Sequence, residues 1–294
     1  MTEKKSRILP YLLWTFLIAW MLEGAAAWLF YHVSPQAGQL MMIALMFAPF
    51  AGVLLSGAGL KDMGWAPKWK GCVSAWVVAW LSPILLTALG ALLYFAVFPS
   101  HFDLTGEYIR AAAGDDAIAQ LEAQGLTYPL YLAITVASSL LYAPVINTFV
   151  ALGEEVGWRG FLYPRLKEKF GRVKGLLLGG VIWGVWHWPL IWLIGYEYGT
   201  GYPGFPVVGM LLFCLFTIPI GILADWVYEK SHCIWGPSLL HGCINAVATI
   251  PPIVCVVSRP SYMSLLGPVP NGLLAGLPLI LFAVLLLLLG KRRK

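Results

Sequence analysis

Glu154, Glu155 and Arg159 stand within six residues of one another in the segment GEEVGWRGFLYPRL, which ends a long apolar stretch. Two later apolar stretches carry one histidine each, His187 in VIWGVWHWPL and His241 in SLLHGCINA. An ionisable side chain at bilayer depth costs about 3 kcal/mol even on lenient insertion scales, so groups kept there serve a function by default. Carboxylates and imidazoles are also the side chains that most often move protons in catalysis. Together these residues point to a hydrolytic site built inside a membrane protein.

Spacing divides the roles. Glu155 and Arg159 are four residues apart, which on a helix places them on one face with the acid first, the favourable order for an ion pair. Glu154 is turned about 100° away and has no obvious local partner. Arg159 would neutralise Glu155, and Glu154 would point into a cavity as a candidate general base; a structural ion-pair network at a helix end is the plainer alternative. His187 is flanked by Trp183, Trp186 and Trp188, with Pro189 two residues on. Proline frees a backbone carbonyl and kinks a helix, which shapes a pocket. Trp183, one turn earlier, is placed to hold the ring. His241 and Asn245 share a face, with Ser238 a turn before them; such a pair in hydrocarbon also serves helix packing.

The elements that must position these residues are membrane helices. The chain has 294 residues, 60% hydrophobic and only 11% charged, against about 25% charged in a soluble domain. At about 20 apolar residues per crossing, eight spans fit near 8–33, 39–59, 71–98, 128–163, 174–194, 207–228, 233–252 and 271–290. This predicts an all-α polytopic membrane bundle, one transmembrane domain over 1–294. The first run is too long for a signal-peptide core and reads as a retained helix. Five scattered cysteines, an odd number without a CxxC pair, give no disulfide framework.

Charge sets the orientation. Lys4, Lys5, Arg7, Lys61, Lys68, Lys70, Arg165, Lys167, Lys169, Arg172, Lys174, Lys230, Lys291, Arg292, Arg293 and Lys294 all fall on one side of these spans, sixteen of 19 Lys and Arg. Only Arg110 and Arg259 fall on the other, and Arg159 belongs to the motif. By the positive-inside rule both termini are cytoplasmic. The net charge of +5 is therefore a topology signal and not a nucleic-acid footprint. Segment 99–127 is acidic and faces outward, its middle able to form a short surface helix or simply a solvated connector. On this topology Glu154, His187 and His241 fall in the cytoplasmic half, in a site expected to open to the cytosol. Short loops point to a prokaryotic cell membrane.

Glu-Glu-x-x-x-Arg, an aromatic separated by three residues from a histidine, and His-x-x-x-Asn, each on its own membrane helix, resemble the CPBP family of CaaX proteases and bacteriocin-processing (ABI) enzymes. Within it the chain is most similar to the type II CaaX prenyl endopeptidases. The resemblance covers about 150–250, the expected catalytic core. Trp183 stands where the family often has Phe. The resemblance implies an intramembrane endopeptidase in which Glu154 acts as base on a water positioned by His187. His241 and Asn245 would stabilise the oxyanion, and Glu155 with Arg159 would support them. It implies no cofactor in this branch; the alternative is zinc held by Glu154, His187 and His241 with an open fourth position. The implied partners are the lipid bilayer and a lipidated or membrane-associated peptide or protein, its bond cut near the C-terminus. Glu23, mid-depth in the first span, would line the cavity or bond a neighbouring helix. A non-enzymatic immunity or scaffold protein has no need for this set of residues. A transporter is disfavoured by the lack of internal repeats and of a matching polar path.

Overall fold

The computed structural model describes residues 7–291; Lys4, Lys5, Arg292, Arg293, Lys294 and the side chain of Lys291 lie outside the described part. Every regular element among the described residues is helical, and their one β pairing is an isolated bridge between Phe102 and Cys255. The order is α1 (Ile8–His32), α2 (Pro35–Leu45), α3 (Ala48–Leu55), α4 (Val73–Val97), α5 (Glu107–Ala113), α6 (Ala117–Ala123), α7 (Tyr128–Leu141) and α8 (Ala143–Gly157). There follow α9 (Tyr163–Phe170), α10 (Arg172–Trp186), α11 (Trp188–Ile194), α12 (Val207–Ser231), α13 (Trp235–Val247), α14 (Ile250–Ile253) and α15 (Leu277–Lys291).

Among the described residues five stretches are long and apolar enough to cross a bilayer, Ile8–His32, Pro35–Leu55, Val73–Val97, Arg172–Ile194 and Val207–Ser231, and the pair from Tyr128 to Phe170, bent by 47°, makes a sixth if it is one span. The seventh and eighth expected spans are shorter helices. Trp235–Val247 has 13 residues, a length of about 20 Å at 1.5 Å per residue, against a hydrocarbon core of about 30 Å. Pro251 and Pro252 interrupt the chain beyond it, and Pro268 and Pro270 precede α15. Apolar composition continues through these segments, but helix does not.

Proline also sets the breaks that matter for the site. Pro49 opens α3 after the turn at Met46–Phe47. Pro189 opens α11, so the helix that begins at Arg172 breaks at His187 itself, which has φ −88° and ψ −2°. Behind Glu154 and Glu155 the chain runs through a π-helical turn, Trp158–Leu162, before Pro164 in α9. Pro164 has no N–H with which to continue the i→i−4 ladder, and the widened turn ends there. Wide turns of this kind are frequent at functional sites.

Helices α8, α10, α12 and α13 form the centre, with α13 packed on α8 and α10 on α12. Two glycines allow the close approaches. A Cβ on Gly157 would lie 2.4 Å from Pro49 Cβ and 2.6 Å from the Tyr11 hydroxyl, and one on Gly242 would lie 2.5 Å from the Thr148 nitrogen. The first lets α8 press on α1 and α3 just beyond the paired acids. The second brings α13 onto α8 at the residue after His241. At the end of the bundle that carries the basic segments, Lys167 bonds Asp225 at 2.7 Å and Glu229 at 2.7 Å, tying α9 to α12.

The acidic segment 99–127 is more than a connector. It holds α5 and α6, separated at Gly114 with φ 97°. The Asp103 carboxylate accepts bonds from the Thr105 nitrogen and hydroxyl and from the nitrogens of Gly106 and Glu107. Glu107 in turn accepts from the Val257 and Ser258 nitrogens, so the segment is pinned to the 254–259 strand of chain. All five cysteines are free and buried.

Candidate active site

Glu154 and Glu155 sit in the last turn of α8, 2% and 0% exposed. Contrary to the expectation from spacing, Glu154 has two partners: its Oε2 accepts the indole N–H of Trp158 at 2.9 Å and that of Trp183 at 2.8 Å. The Glu154–Trp158 spacing of four residues was readable in the sequence. Glu155 faces the other way. Its Oε1 accepts from Arg159 Nη1 at 2.8 Å, closing the expected i,i+4 pair with Arg159 fully buried. The same oxygen lies 2.8 Å from His241 Nδ1.

A carboxylate only accepts, so Nδ1 of His241 carries the proton and donates it. His187 is fixed in the same way: its Nδ1–H donates to the Trp183 carbonyl at 2.9 Å, which leaves Nε2 toward the cavity. The ring lies against Trp186, Tyr196 and Phe213. Trp183 therefore does more than hold His187. Its N–H bonds Glu154, its carbonyl takes His187, its ring stands edge-on to His241 with centroids 5.3 Å apart, and the Arg159 guanidinium lies 4.5 Å from its centre. Tyr163 covers the guanidinium at 4.6 Å.

Glu154, His187, His241 and Asn245 line one cavity of about 710 Å³. Asn245 is exposed to it, one turn along α13 from His241. Glu155 and Arg159 stand behind the wall. Ser238 is buried with its hydroxyl donated to the Ile234 carbonyl at 2.8 Å, so it takes no place in the site. Glu23 is buried and does not line the cavity. Among the described residues no three His, Cys, Asp or Glu side chains are grouped so as to hold a metal ion.

The rest of the lining shows which way the cavity runs. Gln39 and Met42 of α2, Met46 of the turn after it, Tyr131 and Thr135 of α7, and Tyr108, Glu197, Pro252, Val269, Pro270 and Asn271 all belong to the cavity wall. No lining residue comes from 56–72, 158–182 or 221–240, the segments at the end that carries the basic residues. The cavity therefore runs from the paired acids toward the acidic end of the molecule and away from the end expected to be cytosolic.

Fold and site together define a class: a polytopic helical membrane protein with acids, imidazoles and an amide around a buried polar cavity. Residues 136–247 match the family described as type II CAAX prenyl endopeptidase, Rce1-like. The chain is 32% identical over 94 residues to CAAX prenyl protease 2 of Methanococcus maripaludis, a match covering 31% of this chain and 34% of that protein. It thus spans about a third of the relative's length. Over residues 136–247 the chain is similar to the Rce1-like family. The matched region contains Glu154, Glu155, Arg159, His187, His241 and Asn245.

Proposed function

We propose that this protein is an intramembrane endopeptidase of the CaaX-protease type, hydrolysing a peptide bond near the C-terminus of a prenylated or otherwise membrane-associated substrate. The observation that carries the reading is the shared cavity of Glu154, His187, His241 and Asn245.

In this reading Glu154 is the general base. Both indole N–H groups go to its Oε2, so Oε1 is left to receive a proton from water. Nε2 of His187 accepts the other hydrogen of that water and aims its lone pair. The water oxygen bonds the scissile carbonyl carbon, its proton passes to Glu154, and the carbonyl electrons move to oxygen. His241 Nε2–H and the Asn245 amide donate to that oxyanion. The carbonyl then re-forms, the C–N bond breaks, and Glu154 returns its proton to the leaving amine. A positioned base contributes about 10²–10⁴-fold and one oxyanion donor about 10²–10³-fold.

His241 can play this part only with both nitrogens protonated, because Glu155 already takes Nδ1–H. With both protons in place, two carboxylates, Glu154 and Glu155, face two cations, Arg159 and His241. That balance accounts for a pair of buried acids beside a single arginine. No metal takes part in these steps.

The test is incubation of detergent-purified protein with a prenylated peptide ending in a CaaX sequence, with product masses read out. Release of the last three residues is expected, and the Glu154→Gln variant should release none. Equal product from wild type and Glu154→Gln would overturn the assignment.

A further inference from the structure

Glu154 shares its cavity with a second carboxylate that the hydrolytic steps leave unused. Glu197, in the turn between α11 and α12, lines the same wall, and its side chain is exposed there. Its neighbour Tyr196 stacks on the His187 ring, with centroids 6.2 Å apart, so this acid stands one residue from a ring in contact with the reaction centre. The amide of Asn271, itself buried, donates to Glu197 Oε2 at 2.5 Å and fixes the carboxylate in place. The backbone makes an acid at this position costly. Glu197 has φ 68°, between Gly195 at 65° and Gly199 at 71°. Glycine adopts that conformation freely, whereas a residue with a Cβ does so rarely. Such conformations persist where the surroundings over-determine them, ligand clamps among them.

Glu197 lacks a counter-charge. Among the described residues no lysine or arginine lines the cavity, and no ion pair reaches Glu197. Arg259, which borders a neighbouring groove together with Glu197, gives its Nη1 to the Tyr94 hydroxyl at 2.6 Å and the Gly267 carbonyl at 2.8 Å. The Glu197 carboxyl is open to the cavity but deep in the protein. That desolvation raises its pKa, and bonds from Tyr196 and Asn271 offset only part of the rise. A desolvated acid is unfavourable until a cation pairs with it. Tyr108, Tyr131 and Tyr196 bring aromatic rings to the same cavity, which suit a cation. Pro252, Val269 and Pro270 add apolar wall, against which the stem of a long basic side chain can lie while its head stays at the acid.

We propose that Glu197 is a specificity-determining residue that receives a lysine or arginine side chain of the substrate while the bond to be cut lies at Glu154. The inference rests on the endopeptidase reading above and narrows its substrate class to a membrane-associated peptide with a basic residue close to the scissile bond. Prenylated tails meet this description, since basic residues commonly stand upstream of the modified cysteine.

Peptide binding tests this apart from catalysis. Fluorescence anisotropy in detergent is read on the Glu154→Gln protein, so that the peptide is not consumed. Pairs of labelled prenylated peptides ending in the same CaaX sequence differ by lysine against glutamine at one position, taken in turn along the peptide. At one or more positions the lysine peptide should bind about tenfold tighter, the lower range of coupling between close charges at an interface. Adding Glu197→Gln should abolish that preference, and adding Glu197→Lys should reverse it. Glutamine keeps an acceptor for the Asn271 amide, and matching thermal melts establish that the Glu197→Gln protein is folded. Equal binding within every pair, binding of none, or a lysine preference that survives Glu197→Gln overturns the proposal. A lysine preference that depends on Glu197, with no cleavage of the same peptides by the wild type, would leave the contact standing and remove the endopeptidase reading. Cleavage without any lysine preference would do the opposite.

Discussion

Nδ1 of His241 and Nη1 of Arg159 both lie 2.8 Å from the same oxygen, Oε1 of Glu155. One buried carboxylate thus orders an imidazole from α13 and a guanidinium from the π turn after α8. Removing one partner of a buried ion pair leaves the other charge uncompensated, at a cost of about 3–5 kcal/mol. Glu155→Ala should therefore lower both the melting temperature and the turnover, since Arg159 loses its partner and His241 its orientation. Glu155→Gln keeps one acceptor but not the charge, so it should recover only part of the melting temperature while turnover stays low. Thermal melts in detergent beside cleavage rates make the comparison; a Gln variant with wild-type turnover would show that the negative charge is not needed.

Glu154→Gln and His187→Ala probe the cavity side of the same site. Neither residue is part of an ion pair: Glu154 is held by two indoles and His187 by a carbonyl. Each substitution should reduce turnover by about 10²–10⁴-fold, the contribution of a positioned base, with little change in melting temperature. A fall in both would assign them to structure instead.

Trp183→Phe separates the indole N–H from the ring. Phenylalanine preserves a ring for Arg159 and His241 to pack on but removes the donor that bonds Glu154 at 2.8 Å. A hydrogen bond to a charged group is worth about 1.5–3 kcal/mol, and Trp158 still donates to the same oxygen. Turnover should fall while the fold persists. Measuring kcat and KM separately checks this: the loss is expected in kcat, and a change confined to KM would place Trp183 in substrate binding.

Chelation addresses the choice of chemistry. Glu154 and His241 each already engage a protein group, through Oε2 and Nδ1. Dialysis against a strong chelator should leave cleavage unchanged, and metal analysis of the active protein should find no stoichiometric zinc. Activity lost on chelation and restored by zinc would require a different arrangement of these three side chains.

Much of this was legible in the chain. Paired acids, a tryptophan-flanked histidine and a His-x-x-x-Asn face were visible because charge is conspicuous on apolar helices. The Glu155–Arg159 pair follows from i,i+4 geometry alone, and Pro189 marked the break at His187. What stayed hidden was tertiary. No spacing reveals that Glu155 reaches His241, 86 residues away, or that Trp183 from α10 bonds Glu154. The last two expected spans are shorter helices than the sequence implied, because hydropathy registers apolar composition, whereas Pro251, Pro252, Pro268 and Pro270 decide where helix stops. The direction of the cavity was not legible for a similar reason. Depth along a helix places a residue in the bilayer, but which end is sealed depends on packing around Trp158, Arg159 and Tyr163.

Asp103 gives a pH-dependent prediction at the other end of the molecule. Burial raises its pKa, but bonds donated by the Thr105 hydroxyl and by the nitrogens of Glu107, Thr105 and Gly106 outweigh it, so the net shift is downward. A carboxyl with a lowered folded-state pKa contributes stability that is fully present above its unfolded value, about 3.9. That contribution fades as pH falls through the lower folded value. Asp103→Asn should therefore melt below the wild type at neutral pH, by an amount set by capping-type bonds worth about 0.5–2 kcal/mol. The two melting curves should converge as the medium is acidified below the unfolded value. Because Asp103 organises α5, which brings Tyr108 to the cavity wall, the variant should also show faster amide exchange over 103–113 at neutral pH. A melting difference that persists unchanged into strong acid would mean that the Asp103 charge does not hold this segment.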